Sequence, residues 1–192
     1  MGLFDRFRRE KQNPEAQAAP GGDRAAELLL EIAQIISAGD RAVLEPLNSC
    51  TDDPAGYFAA HRETYEERGV DAAEDLAQIQ WLALVDILEE HGYVCERDWK
   101  DEKPDFLYFL RGLHGMERLN LEVEADWLEE SGDIPAWCGV IAEKWSPRPC
   151  RVAAIGIDSD NYVLFPCTDG ELERLRALAG QMGQSIDCVE KM

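Results

Sequence analysis

Between residues 23 and 92 the apolar positions recur with helical spacing. Leu28, Leu29, Ile32, Ile35 and Ile36 form one stripe, which predicts a helix capped by Asp23 and stopped at Gly39. Asp53-Pro54 pairs an N-cap residue with a proline at the first helical position, and so opens a second helix that ends by Gly69. A third runs from Asp71 to Gly92. It is apolar almost all round between Leu76 and Leu88, the pattern of a central buried helix. Asp86 interrupts that run, and it must find a partner or face the rim, because an unpaired buried charge costs several kcal/mol.

Beyond Gly92 the period shortens to two. Tyr93-Val94-Cys95 reads as a short strand leading into Arg97-Asp98-Trp99-Lys100, and Pro104 begins a helix with Phe106, Leu107, Phe109 and Leu110 as its apolar face. From Leu119 to Trp127 apolar residues alternate with polar ones, which predicts a strand with one core face and one acidic face carrying Glu122, Glu124 and Asp126. A helix over Ile134 to Trp145 has Pro135 in its first turn. Strands over 151–157 and 162–166 flank the turn Asp158-Ser159-Asp160-Asn161, whose residue types fold back on their own backbone. Thr168-Asp169-Gly170-Glu171 fits a capping box for a helix reaching Gly180 or Gly183, and Ser185 to Val189 completes the strands. The order predicts an α+β fold with N-terminal helices packed on a mixed sheet of four to five strands with interspersed helices. Residues 23–192 form one domain on this reading, helical over 23–92 and strand-containing over 93–192.

Residues 1–22 follow neither period. MGLFDRFRREK sets Leu3, Phe4 and Phe7 on one helical face among four basic residues, a leader suited to weak peripheral membrane contact, and residues 13–22 read as a flexible linker. Residues 1–12 carry net +2, whereas the whole chain has 39 acidic against 19 basic residues and a formal net charge of -20. Such a surface repels phosphate backbones, so nucleic acid is excluded as a direct partner and a protein with a basic surface is favoured. No two of the six cysteines lie closer than 12 residues, which excludes CxxC zinc and redox motifs and makes them small buried hydrophobes of a reducing, cytoplasmic compartment. The longest uncharged stretch is 10 residues, too short for a transmembrane segment.

The chemistry-bearing motifs are incomplete. Pro104-Asp105 with Glu122-Val123-Glu124 lacks the lysine that the PD-(D/E)xK nuclease pattern needs, since Glu124 takes its place. Asp158-Ser159-Asp160 resembles the DxD of nucleotide-sugar transferases, but no glycine-rich phosphate loop accompanies it, and Tyr162 stands where a calcium loop needs a ligand. His61, His91 and His114 have no evident cysteine to activate. No catalytic residue, metal ligand set or cofactor is therefore assigned. The expected function is a non-enzymatic, cytoplasmic interaction protein, of inhibitor or immunity type, that masks a basic protein. The alternative is a metal-dependent hydrolase or transferase built on Asp98, Glu122, Glu124, Asp158 and Asp160. Convergence of those acids around one cleft separates the two.

LVDILEEHGYVCERDWKDE (84–102), IGIDSDNYVLF (155–165) and the closing helix together resemble an uncharacterised bacterial family known only as a domain of unknown function. An Asp-Trp-Lys segment after a strand and an acidic turn followed by Tyr recur in that family, and the resemblance covers roughly residues 76–189. It implies a bacterial, soluble, mixed α/β domain with no known activity. By pattern it singles out Asp98, Trp99, Lys100, Asp158, Asp160 and Tyr162 as binding residues, to which the alternating segment adds Glu122 and Glu124.

Overall fold

Local capping rules account for several helix ends in the computed structural model, which describes residues 21–68, 70 and 76–192. The leader with Leu3, Phe4 and Phe7, most of the linker, Gly69 and Asp71 lie outside the described residues. Helix α1 spans Gly22–Ile36; Gly21 is its N-cap, and Asp23 sits in the first turn, where its charge favours the helix dipole. Gly39 ends the stop with φ +80, a left-handed conformation that glycine adopts without strain. The next helix, α2 (Arg41–Asp52), has no counterpart in the sequence-based expectation. Asp40 caps it, and Val43, Leu47 and Cys50 form its buried stripe, but Pro46 stands inside it, where proline normally argues against a helix. Asp53 accepts from Gly56 N as the N-cap of α3 (Pro54–Ala60). The single helix expected from there to Gly69 is broken at His61 into α3 and α4 (Arg62–Glu67). Helix α5 (Leu76–Glu90) is the buried central helix, with Trp81, Leu84, Val85 and Leu88 in the core, and Gly92 closes it at φ +70.

Among the described residues four strands form one sheet: β1 (Cys95–Asp98), β2 (Cys150–Ile155), β3 (Asn161–Thr168) and β4 (Ile186–Cys188), in the order β1-β3-β2-β4. The α+β class holds, but every pairing is antiparallel, not mixed. Antiparallel neighbours share side-chain parity, so the register sorts the faces. Ala153, Ile155, Val163, Phe165, Ile186 and Cys188 face one way, into a core shared with α1, α2, α5 and α9 (Asp169–Gln181). Cys95, Val152, Ala154 and Leu164 face the other, onto α6 (Lys103–Gly112), α7 (His114–Arg118) and α8 (Ile134–Trp145). The helical and strand-containing parts thus share a core within three layers. As expected, the Thr168–Glu171 capping box is complete.

The segment Leu119–Trp127 is not a strand. Burial does alternate, with Leu121 and Val123 in the core and Glu122 and Glu124 exposed, but no strand among the described residues lies beside it and residues Ala125–Trp127 turn as a 3-10 helix. Its carbonyls are satisfied by side chains instead. Arg111 Nη2 donates to Val123 O at 2.6 Å, Trp145 Nε1 to Glu122 O at 2.9 Å, and Arg148 to Asn120 O. Trp137 Nε1 and Lys103 Nζ treat the carbonyls of Glu129 and Leu128 in the same way. Alternation reports which side chains are buried; whether a ladder forms depends on a partner edge that nothing local encodes. Pairing of β1 likewise begins only at Cys95, after Tyr93 N has donated to Leu88 O at 2.8 Å in closing α5.

Candidate functional site

Gly156 is where the β2–β3 hairpin leaves the sheet. Its carbonyl accepts from the buried Trp81 Nε1 at 2.8 Å, and its N–H donates to Ser185 O at 2.9 Å, so the central helix and the start of β4 clamp one residue from two sides. A Cβ here would overlap Ser185 Oγ, hence the glycine. The chain then turns through Asp158, at φ +53, and Ser159 Oγ accepts from Asn161 N at 2.9 Å. This is the side-chain-to-backbone closure expected of Asp, Ser and Asn in a turn. The positive φ falls on Asp158, not on Asn161.

The register Asp98↔Asn161 brings the end of β1 alongside this turn. Asp98 Oδ1 accepts from Lys100 N at 2.8 Å, forming a tight turn that lifts Trp99 out of the sheet with 51% of its surface exposed. Trp99, Asp158, Asp160 and Tyr162 line one open groove of about 850 Å³, with Ala154 and Ile186 also in its lining. Helices α6, α7 and α8 contribute none of its lining, so the groove is the end of the sheet that the second helical layer leaves bare. Arg176 and Asp187 pair across its far wall, with Nε to Oδ2 at 3.1 Å. Burial alone would raise the Asp187 carboxyl, but the hydrogen bonds from Arg176 and from Cys188 N hold it below the usual range. Asp158 and Asp160 are exposed, and neither is paired with a cationic side chain among the described residues.

The eight residues singled out by sequence therefore separate. Trp99, Asp158, Asp160 and Tyr162 share the groove; Asp98 shapes the turn that presents Trp99; Lys100 places Nζ 4.7 Å from the Trp99 ring centroid. Glu122 and Glu124 do not line it, and Glu122 lies instead beside Trp127, Lys144 and Trp145. The acids that the metal reading needs to converge are thus divided between two regions. Among the described residues no group of three or more His, Cys, Asp or Glu side chains is arranged to hold a metal ion. All six cysteines are free and buried; burial pushes the Cys50 thiol up to about 11 and the Cys95 thiol up to about 12, which suppresses thiolate chemistry. His61 stacks on Tyr57, with ring centroids 4.1 Å apart.

Behind the turn lies a polar network that sequence reasoning did not assemble. Arg68 Nη2 donates to Asp86 Oδ1 at 2.8 Å and to Glu96 Oε2 at 3.0 Å, and Asn161 Nδ2 donates to Glu96 Oε1 at 2.7 Å. The network joins α5, β1 and the first residue of β3. Burial pushes the Asp86 carboxyl up to about 6, opposed by Arg68 and reinforced by Glu89 and Glu96. The local signal for it was Asp86 within an apolar run, which demanded a partner without naming one. Gly156, Arg176 and Ser185 were also missed; the only sign of Gly156 was a glycine inside a strand pattern.

No helix among the described residues is long and apolar enough to cross a membrane. No curated protein and no solved structure matches the chain. The family expected from the Asp-Trp-Lys segment and the acidic-turn hairpin is matched over residues 28–189, from the first buried leucine of α1 to the residue after β4, and the chain belongs to that family, described as Domain of unknown function (DUF6630).

Proposed function

We propose that the protein is a non-enzymatic, cytoplasmic, bacterial interaction module whose groove receives a basic, aromatic-bearing segment of a partner protein, and that it acts as an inhibitor or immunity-type mask of that partner. One observation carries the reading: an exposed tryptophan and two unpaired aspartates line the same groove. An arginine or lysine side chain entering there would stack on the Trp99 face and pair with Asp158 or Asp160, and each such contact is worth roughly 0.5–1 kcal/mol at an exposed site. Several must act together for stable capture, and the net charge of -20 adds long-range attraction. The six unpaired cysteines fit a reducing compartment. Titration with octa-arginine, followed by calorimetry and by the NMR signals of Trp99 and Asp158–Asn161, tests the reading. Binding that moves those signals, weakens about tenfold or more as salt rises past a Debye length of ~10 Å, and disappears in the variant Trp99→Ala with Asp158→Asn and Asp160→Asn is the expected result. Binding that ignores these substitutions would refute it.

A further inference from the structure

The N-terminal stretch of this acidic chain is itself basic and aromatic. Residues 1–12 carry Arg6, Arg8, Arg9 and Lys11 against two acids, together with Leu3, Phe4 and Phe7, and they lie outside the described residues. Helix α1 starts at Gly22, and Arg24 Nη2 donates to Gln181 Oε1 at 3.5 Å, so this end of α1 sits against the end of α9. Gln181 is the neighbour of Gly180, and Gly180 and Gln184 line the groove. A segment joined at Gly22 is therefore tethered at the groove's rim.

Reach and charge both favour engagement in cis. Residues 13–20 span up to roughly 28 Å when extended, and an average coil of that length covers about 15 Å. A tether of this kind gives an effective concentration on the order of millimolar, so even a weak peptide site is occupied when the peptide is its own. The four basic side chains complement Asp158 and Asp160, while Leu3, Phe4 and Phe7 match the Trp99 and Tyr162 side of the groove. We infer that residues 3–9 dock in the groove beside Trp99, Asp158 and Asp160, so that an external basic segment must displace them. The inference rests on the reading of the groove given above, and its consequence is an apparent affinity for external ligands reduced by the fraction of open grooves.

The test uses the full chain and a full-chain variant with Arg6→Glu, Arg8→Glu and Arg9→Glu, substitutions outside the described residues. The probe is a synthetic peptide of residues 2–12, GLFDRFRREKQ. NMR signals of Trp99 Nε1–H and of the Asp158–Asn161 amides should differ between the two chains, and the peptide should bind the variant about tenfold or more tightly than the wild type, moving its signals toward the wild-type positions. Trp99→Ala in the variant should abolish that binding. Identical groove signals in the two chains would overturn the inference. If octa-arginine nevertheless binds both chains equally at the groove, only docking in cis falls; if neither octa-arginine nor the peptide moves the groove signals, the groove reading falls with it. Co-sedimentation of the wild type, but not of the variant, with phosphatidylserine vesicles, the groove signals being the same in both chains, would assign the segment to a lipid surface and also overturn docking in cis.

Discussion

The raised carboxyl of Asp86 has a calculable effect on stability. Its side chain is 23% exposed and its pKa moves from 3.8 to about 6, a shift of about 2 units, equivalent to about 3 kcal/mol between the two protonation states. Because the folded pKa lies above the unfolded one, the fold favours the protonated acid. The stabilising contribution is fully present below about pH 4, is lost as pH rises through about 6, and is absent at neutral pH. Asp86→Asn keeps an oxygen for Arg68 Nη2 but carries no charge to desolvate. At about pH 7.5 the variant should be more stable than the wild type by roughly 1–3 kcal/mol, and the gap should narrow as pH falls through about 6 and close by about pH 4 as the wild type protonates. Urea unfolding of both proteins across that range, followed by circular dichroism, measures the difference. The general relief of self-repulsion in a chain of formal charge -20 cancels, since both proteins share every other acid. Deleting one partner of a buried ion pair ordinarily costs about 3–5 kcal/mol, so the competing view predicts the opposite sign. A variant less stable than wild type at about pH 7.5 would show that pairing with Arg68 outweighs burial, and a difference that does not change with pH would show that the fold does not raise the Asp86 carboxyl.

Two further substitutions probe the scaffold. Gly156→Ala should cost about 1–3 kcal/mol through the overlap with Ser185 Oγ, and adding Ser185→Ala should recover part of that loss in thermal unfolding; strict additivity of the two would argue against the clash. Trp145→Phe leaves the Glu122 carbonyl without its donor and should cost about 1–3 kcal/mol while speeding amide exchange over residues 121–124; unchanged exchange there would mean that the side-chain donors do not hold the segment.

The contrast between Trp145 and the capping residues explains which parts of the fold were legible in advance. Asp53, Pro104, Thr168 with Glu171, and Gly92 act on backbone groups within a few residues, so their meaning is contained in a short window. Helix α2 escaped because Pro46 carries the local signal of a break, while its burial against α1 and α5 is a tertiary fact. At 119–127 the alternation was right about burial and wrong about structure, because Arg111, Trp145 and Arg148 supply donors from 12 to 28 residues away in sequence and replace the missing strand.

The groove follows the same division. Local rules identified Asp158–Asn161 as a turn and Asp98–Lys100 as a rim, and each has a local explanation in its own side-chain-to-backbone hydrogen bond. What joins them is the pairing of Asp98 with Asn161, reinforced by the bond from Asn161 Nδ2 to Glu96 and by the grip of Arg68 on Glu96 and Asp86. The register depends on contacts between residues more than 60 positions apart, so each motif was visible but their adjacency was not. The half-buried network therefore has a definite place beside the groove: it fixes the strand ends from which Trp99 and the aspartates project. Loosening Asp86 or Arg68 should disturb ligand capture at Trp99 without touching any residue that meets the ligand.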